Sequence, residues 1–374
     1  MPFSHSPRRS RILPAAVAVC ASALLLTTHQ AVPRVASSTI IPISHMNSAR
    51  SGHIAALLQD GRVLIVGGMV RNQQFLATAE LFDPQKRTFT TTGSMREPHV
   101  GPGAVRLTDG RVLICGGWTT GGPTDKVEIY DPATGSFTAG PSMTSPRARP
   151  SAVTLTDGRV LVAAGGSSDR VGLRTAEIYD PSTNRFTRTG DMKVGRIAQT
   201  ASLLHSGQVL IVGGMDDGHV TATAELYDPR SGQFTTIGPL HAARYKHTAQ
   251  TLPDGRVLIA GGSDDRDSAG MLTSAEVYDP ATRAFSSVTP MTQRRYKLSE
   301  AAPLLPTGQV LIAGGAPTAE LFDPAKNAFL SIGSGTATPQ WFMETTLLPT
   351  GDVLLTGGYS NSYVSTDQAW LYQH

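Results

Sequence analysis

Seven times along this chain a short apolar run ends in a Gly-Gly pair: Gly67-Gly68, Gly116-Gly117, Gly165-Gly166, Gly213-Gly214, Gly261-Gly262, Gly314-Gly315 and Gly357-Gly358. The spacings are 49, 49, 48, 48, 53 and 43 residues. A unit of about 50 residues with several strands cannot bury its own apolar face, so neighbouring units must stack. The repeat therefore predicts an all-β array closed into a propeller, one body despite a length of 374 residues.

Each unit reads as four strands. A first strand such as His53–Leu58 or Ser151–Thr156 meets an Asp-Gly turn (Asp60-Gly61, Asp109-Gly110, Asp157-Gly158, Asp254-Gly255), a strong hairpin signal. The second strand is almost wholly apolar, as in Val63–Val66 and Val209–Val212, which predicts burial on both faces. A third strand runs through Ala79–Pro84 and its echoes at 176–181, 224–229, 275–280 and 319–324, where Asp-Pro opens a turn. A fourth strand is led by Phe89, Phe137, Phe186, Phe234, Phe285 or Phe329, each seven residues after Phe82, Tyr130, Tyr179, Tyr227, Tyr278 or Phe322. The Gly-Gly doublet, the Tyr and the aromatic seven residues on resemble the kelch-repeat family, with Phe where that family usually has Trp. The resemblance covers essentially the whole chain after its first segment and implies a seven-bladed propeller of four-stranded kelch-type blades.

Only six Phe-led fourth strands exist, and the chain ends at Ala369–His374 without room for a seventh. Ile40 precedes Met46 by six residues, as Phe89 precedes Met95. Residues 38–45 are thus expected to close the last blade beside 369–374, removing an open edge. The expected organisation is a signal peptide over 1–31, a short linker over 32–37 and the propeller over 38–374. The leader reading rests on Arg8, Arg9 and Arg11 before an uncharged apolar stretch from Ile12 to Leu26, short for a membrane span. It predicts an exported protein, periplasmic or secreted, with no membrane association once the leader is removed. Without the leader 29 basic residues face 29 acidic ones, so nothing marks a nucleic-acid binder. Cys115 is then the sole cysteine, in a slot filled by Val66, Ala164, Val212 or Ala260 elsewhere, and reads as a small buried hydrophobe.

The Asp-Gly and Asp-Pro turns share one face; the loops after Gly-Gly and the blade connections share the other. The second set varies, so the channel mouth on that face is the expected site. Four residues past a repeated Met or Leu stand Arg50, His99, Arg147, Arg196, Arg244 and Arg295, with no basic counterpart in the seventh unit. They are candidates for ringing the mouth and gripping an anion. Tying down the loops of their own blades is the alternative, which their repetition favours. His53 and His247, with Trp118, Tyr245, Tyr296 and Trp341, complete the candidate ligand-binding set, suited to stacking on a sugar or gripping a peptide. Asp169, Asp217 and Asp265 follow their doublets by three residues, with Asp216, Asp264 and Asp267 nearby. They complete no calcium loop motif, and turn capping or pairing with the Arg set is the favoured role.

The resemblance reaches copper-radical sugar oxidases, sugar mutarotases and plain binding modules. The oxidases need a Tyr cross-linked to a Cys, a second Tyr and two His; Cys115 in its apolar strand does not meet that pattern. The expectation is a monomeric binder of a small molecule, glycan or protein, without cofactor or metal. The alternative is a metal-free acid–base enzyme at the same mouth, with His53, His99, His247 and Glu344 available.

Overall fold

The computed structural model describes residues 38–71 and 74–373; the expected leader and linker lie outside them. The described residues are all-β, a propeller of seven antiparallel sheets, with one short 3-10 turn among them at Asp267–Gly270. The first blade shows the pattern: Ile54–Leu57, Val63–Val66, Ala79–Asp83 and Thr88–Thr91 pair in chain order. The first strands of successive blades touch one another, so they surround the central channel. Each second strand is buried throughout, as its unbroken apolar run requires. The core lies in the seams between blades: Leu161, Ala163 and Ile178 of blade three pack with Val209, Ile211 and Tyr227 of blade four. Each aromatic pair spaced by seven meets across the third and fourth strands, with ring centroids 4.8–5.1 Å apart.

The ring is sealed by strand Thr39–Pro42, which pairs with Ala369–Gln373 from Thr39 opposite Gln373 to Pro42 opposite Trp370. Ile40 is buried in the last blade's core with Trp370 and Tyr372. Ser334 Oγ of blade six also accepts the Ile40 N–H at 2.8 Å, tying the closing strand to the neighbouring blade.

Two departures from the repeat are informative. In blade three the residues that turn out of the second strand are Ala164 and Gly165, not Gly165 and Gly166. Their φ values of 60° and 88° match 71° and 88° at Gly67 and Gly68. The slot of Cys115 is accordingly filled by Ala163, which ends the strand Val160–Ala163. Cys115 itself is fully buried, and burial pushes its thiol up to about 12.

The second departure is blade six, a three-stranded sheet of Val310–Ile312, Thr318–Asp323 and Ala328–Gly335. Its innermost segment keeps a single bridge to its own blade, Leu304 to Val310, and makes a parallel bridge from Ala301 to Ala249 of blade five. Glu300 of this segment lines the channel.

Candidate functional site

The Arg set does not ring the channel mouth. Arg50, Arg147, Arg196, Arg244 and Arg295 are at most 1% exposed, and each is spent inside its own blade. Arg50 donates Nη1 to Gly67 O at 2.7 Å and Nη2 to Glu80 Oε1 at 2.9 Å. The same two partners recur as Ala164 and Glu177, Gly213 and Glu225, Gly261 and Glu276, and Gly314 and Glu320. The Glu also accepts backbone N–H groups of the connector, such as Asn47 on Glu80 and Thr144 on Glu177, both at 2.7 Å. His99, fully buried, fills the slot in blade two, with Nδ1 2.7 Å from Gly116 O and Nε2 3.8 Å from Glu128. Blade seven has Gln340 where the Arg would stand and Trp370 where the Glu would stand. Cation and carboxylate are therefore lost together, as a buried pair demands.

The doublet faces the next connector. Gly68 donates to His99 O at 2.8 Å and Gly117 to Arg147 O at 2.9 Å. A Cβ at Gly116 would lie 2.4 Å from Arg147 O, so the close approach and the positive φ both require glycine.

The channel is ringed two residues further along each connector, by Gly52, Gly101, Arg149, Ala198, Lys246, Lys297 and Phe342. All seven have positive φ, between 49° and 59°. Backbone bonds join them into a collar: Gly52 N to Phe342 O, Gly101 N to Gly52 O, Arg149 N to Gly101 O, Lys246 N to Ala198 O, and Phe342 N to Lys297 O, at 2.8–3.2 Å. Above the collar a cavity of about 500 Å³ opens on the variable face, lined by Trp118, Asp169, Met215, Tyr245, Asp265 and Asp267 among others. Below it lies a second cavity of about 330 Å³ in the channel, with walls from all seven blades. Arg149, Ala198, Lys246 and Phe342 line both cavities.

Three cations and a cluster of rings meet at this collar. The Arg149 guanidinium lies 4.2 Å over the Phe342 ring. Lys297 Nζ donates to Tyr359 Oη at 2.8 Å and sits 4.8 Å from the Tyr296 ring centroid. Lys246 Nζ reaches Tyr245 Oη at 3.0 Å and Asp267 Oδ1 at 2.9 Å. Trp341 packs edge-on against Tyr296 and Tyr359. Burial, with the charges of Lys246 and Arg149 adding to it, pulls the Lys297 ammonium down to about 8 despite Asp267. Burial likewise lowers Lys246 and raises the Tyr359 phenol to about 12. Among the described residues, only Lys246 of the three collar cations has an ion-pair partner, Asp267.

Of the expected site residues, Trp118 and Tyr245 line the mouth and His53 and His247 line the channel. Tyr296 and Trp341 pack beneath the Lys297 ammonium. The two histidines are buried, with Nε2 2.9 Å from Thr356 Oγ1 and Thr200 Oγ1 respectively. Burial and the neighbouring arginines hold both well below the usual histidine range, so they stay neutral. The aspartates lace neighbouring loops together: Asp216 accepts Gly172 N at 3.1 Å and Asp265 accepts Val220 N at 2.5 Å. Sequence reasoning missed Arg149, Lys246, Lys297 and Glu300. The glycines at 52 and 101 were the available signal, because glycine there marks a connector slot at positive φ.

A family model described as the kelch motif matches residues 50–96, 102–144, 148–193 and 196–241, one match for each of the first four blades. The chain is a kelch-repeat propeller. Blades five to seven continue the pattern beyond the matched segments. No curated protein matches this kelch propeller in sequence. A solved structure it resembles is described as a novel fungal alcohol oxidase with catalytic diversity among the AA5 family, in complex with copper. The two share 17% identity over 90% of this chain and 76% of that one, with a TM-score of 0.71; at that identity the likeness is one of fold. Among the described residues of this kelch propeller no three His, Cys, Asp or Glu side chains come together as a candidate metal cluster. Kelch propellers are typically scaffolds for ligand or protein binding.

Proposed function

We propose that this kelch propeller binds an anionic ligand, or the acidic group of a glycan, peptide or protein, at the channel mouth on its variable-loop face. One observation carries the reading: Arg149, Lys246 and Lys297 bring three half-buried cations to a single collar beside aromatic rings. A desolvated cation beside an aromatic face is a strong anchor for a carboxylate or phosphate, because water competes weakly there. Export of the protein belongs to this reading and is supported by the leader-like residues 1–31; amino-terminal sequencing of secreted material checks it.

The test is a binding panel of acidic and neutral oligosaccharides and peptides against the native protein and Lys246→Met/Lys297→Met. Acidic ligands should bind the native protein and lose at least about tenfold in the double variant, given the worth of charged hydrogen bonds. Equal binding by both proteins would refute the site. Acid–base catalysis in the same channel is the second reading, supported by two carboxyl groups, Glu300 and Glu344, that burial raises to about 7. Turnover that disappears in Glu300→Gln or Glu344→Gln would establish it.

A further inference from the structure

Beneath the cationic collar the channel carries the opposite charge. Glu300, on the displaced inner segment of blade six, reaches across to blades three and four. Its Oε1 accepts the Ser151 hydroxyl and, at 3.3 Å, the Ala201 N–H. Glu344 opens the first strand of blade seven, and its Oε2 accepts Ser299 Oγ at 2.6 Å. Both carboxyls line the same cavity as Arg149 and Lys246. Among the described residues neither has an ion-pair partner. His53 and His247, the other titratable groups on this wall, are held neutral.

A third acceptor waits beside them. Gln199 is 5% exposed and donates Nε2 to Ser151 Oγ at 2.8 Å. The Ser151 hydroxyl hydrogen is committed to Glu300, so Gln199 must present its NH2 to Ser151. Its Oε1 is then left buried without a partner, which costs free energy unless a donor arrives. Glu300 faces the open channel and Glu344 is half-buried beside it, so two carboxyl groups without a salt-bridge partner among the described residues stand next to that free acceptor.

We propose that the channel below the collar receives the primary ammonium group of a small zwitterion whose anionic end is held by the collar. The inference rests on the anion reading of the mouth and names the ligand class. An ammonium offers three N–H donors, the number of acceptors supplied by Glu300, Glu344 and Gln199. The cavity of about 330 Å³ has roughly the volume of ten waters, ample room for an aminoalkyl group. A bare amine entering through the collar meets Arg149, Lys246 and Lys297 and is repelled by them; an amine tethered to an anion brings its own counter-charge. An inorganic cation meets the same barrier and finds only two carboxylates and one amide oxygen.

Calorimetric titration with ω-amino acids from β-alanine to 8-aminooctanoate tests this, with the matching carboxylic acids, the matching amines and calcium chloride as controls. One chain length should bind at least about tenfold tighter than its acid and its amine, the scale of losing one partner of a buried charge pair. Glu300→Gln/Glu344→Gln, near-isosteric and checked for an intact melting transition, should bring that zwitterion down to the affinity of the acid. An acid that binds as well as the zwitterion overturns the ammonium site while leaving the mouth reading intact. An amine that binds as well as the zwitterion overturns the pairing and the mouth reading with it. Binding of calcium alone in competition with the zwitterion, or no binding at any length, also overturns the proposal.

Discussion

Arg244 and Lys246 are two residues apart on one connector, yet they belong to different worlds. Arg244 is fully buried, bonded to Gly261 O and Glu276, and copied in four other blades. Lys246 is half-buried over two cavities, and its slot holds Gly, Gly, Arg, Ala, Lys, Lys and Phe around the ring. The repeated cation holds each blade to its connector; the unrepeated one faces the channel. In a propeller, repetition marks what every blade needs to stand, and variation at a fixed backbone slot marks what the ring can recognise.

The seam half of the comparison breaks most heavily. Arg196→Met strands Glu225 in a dry seam and should cost about 3–5 kcal/mol of stability by denaturant unfolding. Adding Glu225→Gln, which keeps an acceptor for the Lys193 and Val194 N–H groups, should restore part of it, since the uncompensated charge is then gone; a double variant as unstable as the single would contradict the pairing. Gly116→Ala should follow. Its Cβ meets Arg147 O at a positive φ, and a loss of about 2 kcal/mol or more is expected on the same measurement.

The channel half shows in pH. Glu300 and Glu344 have native values near 7 against 4.5 in the unfolded chain. Between those limits the native state holds more protons, so stability falls as pH rises from 4.5 to 7. Glu300→Gln/Glu344→Gln should flatten that slope in melts across the range. Lys297 has the opposite sign, since its native value near 8 lies below 10.5. It disfavours folding below pH 8, and that cost is relieved between 8 and 10.5 as the unfolded chain alone stays protonated. Anion binding at the collar should weaken as pH passes 8. The smallest expected effect is a gain: Ala164→Gly relieves a left-handed alanine and should stabilise blade three by about 0.5–1 kcal/mol, net of the glycine entropy cost.

Much of the fold was legible in the sequence because its determinants are local and repeated sevenfold. Asp-Gly turns, apolar second strands and the aromatic pairs spaced by seven each fix one step of the blade. Closure was readable from Ile40 and Met46 matching Phe89 and Met95. The doublet register failed in blade three because Ala164 takes a left-handed conformation that the sequence Ala163-Ala164-Gly165-Gly166 does not advertise. The collar was misplaced by two residues because charge alone cannot tell a buried arginine from a lining one. The Glu second in the third strand of blades one to six (after Ala in five of them, after Val127 in blade two), and the joint loss of both partners in blade seven, were the clues that each Arg already had a partner. Glu300 was hidden for another reason. It stands three residues past Lys297, the slot held on the channel wall by Ala55, Ala104, Ala152 and Ala201 in other blades, and that register emerges only once the collar is located.

The most direct measurement sets Arg244→Met beside Lys246→Met and reads both unfolding free energy and affinity for an acidic ligand. The account predicts that Arg244→Met loses about 3–5 kcal/mol of stability, while Lys246→Met keeps its stability within about 1 kcal/mol and loses binding. A stable Arg244→Met that no longer binds, or a Lys246→Met that binds as the native protein does, would contradict it.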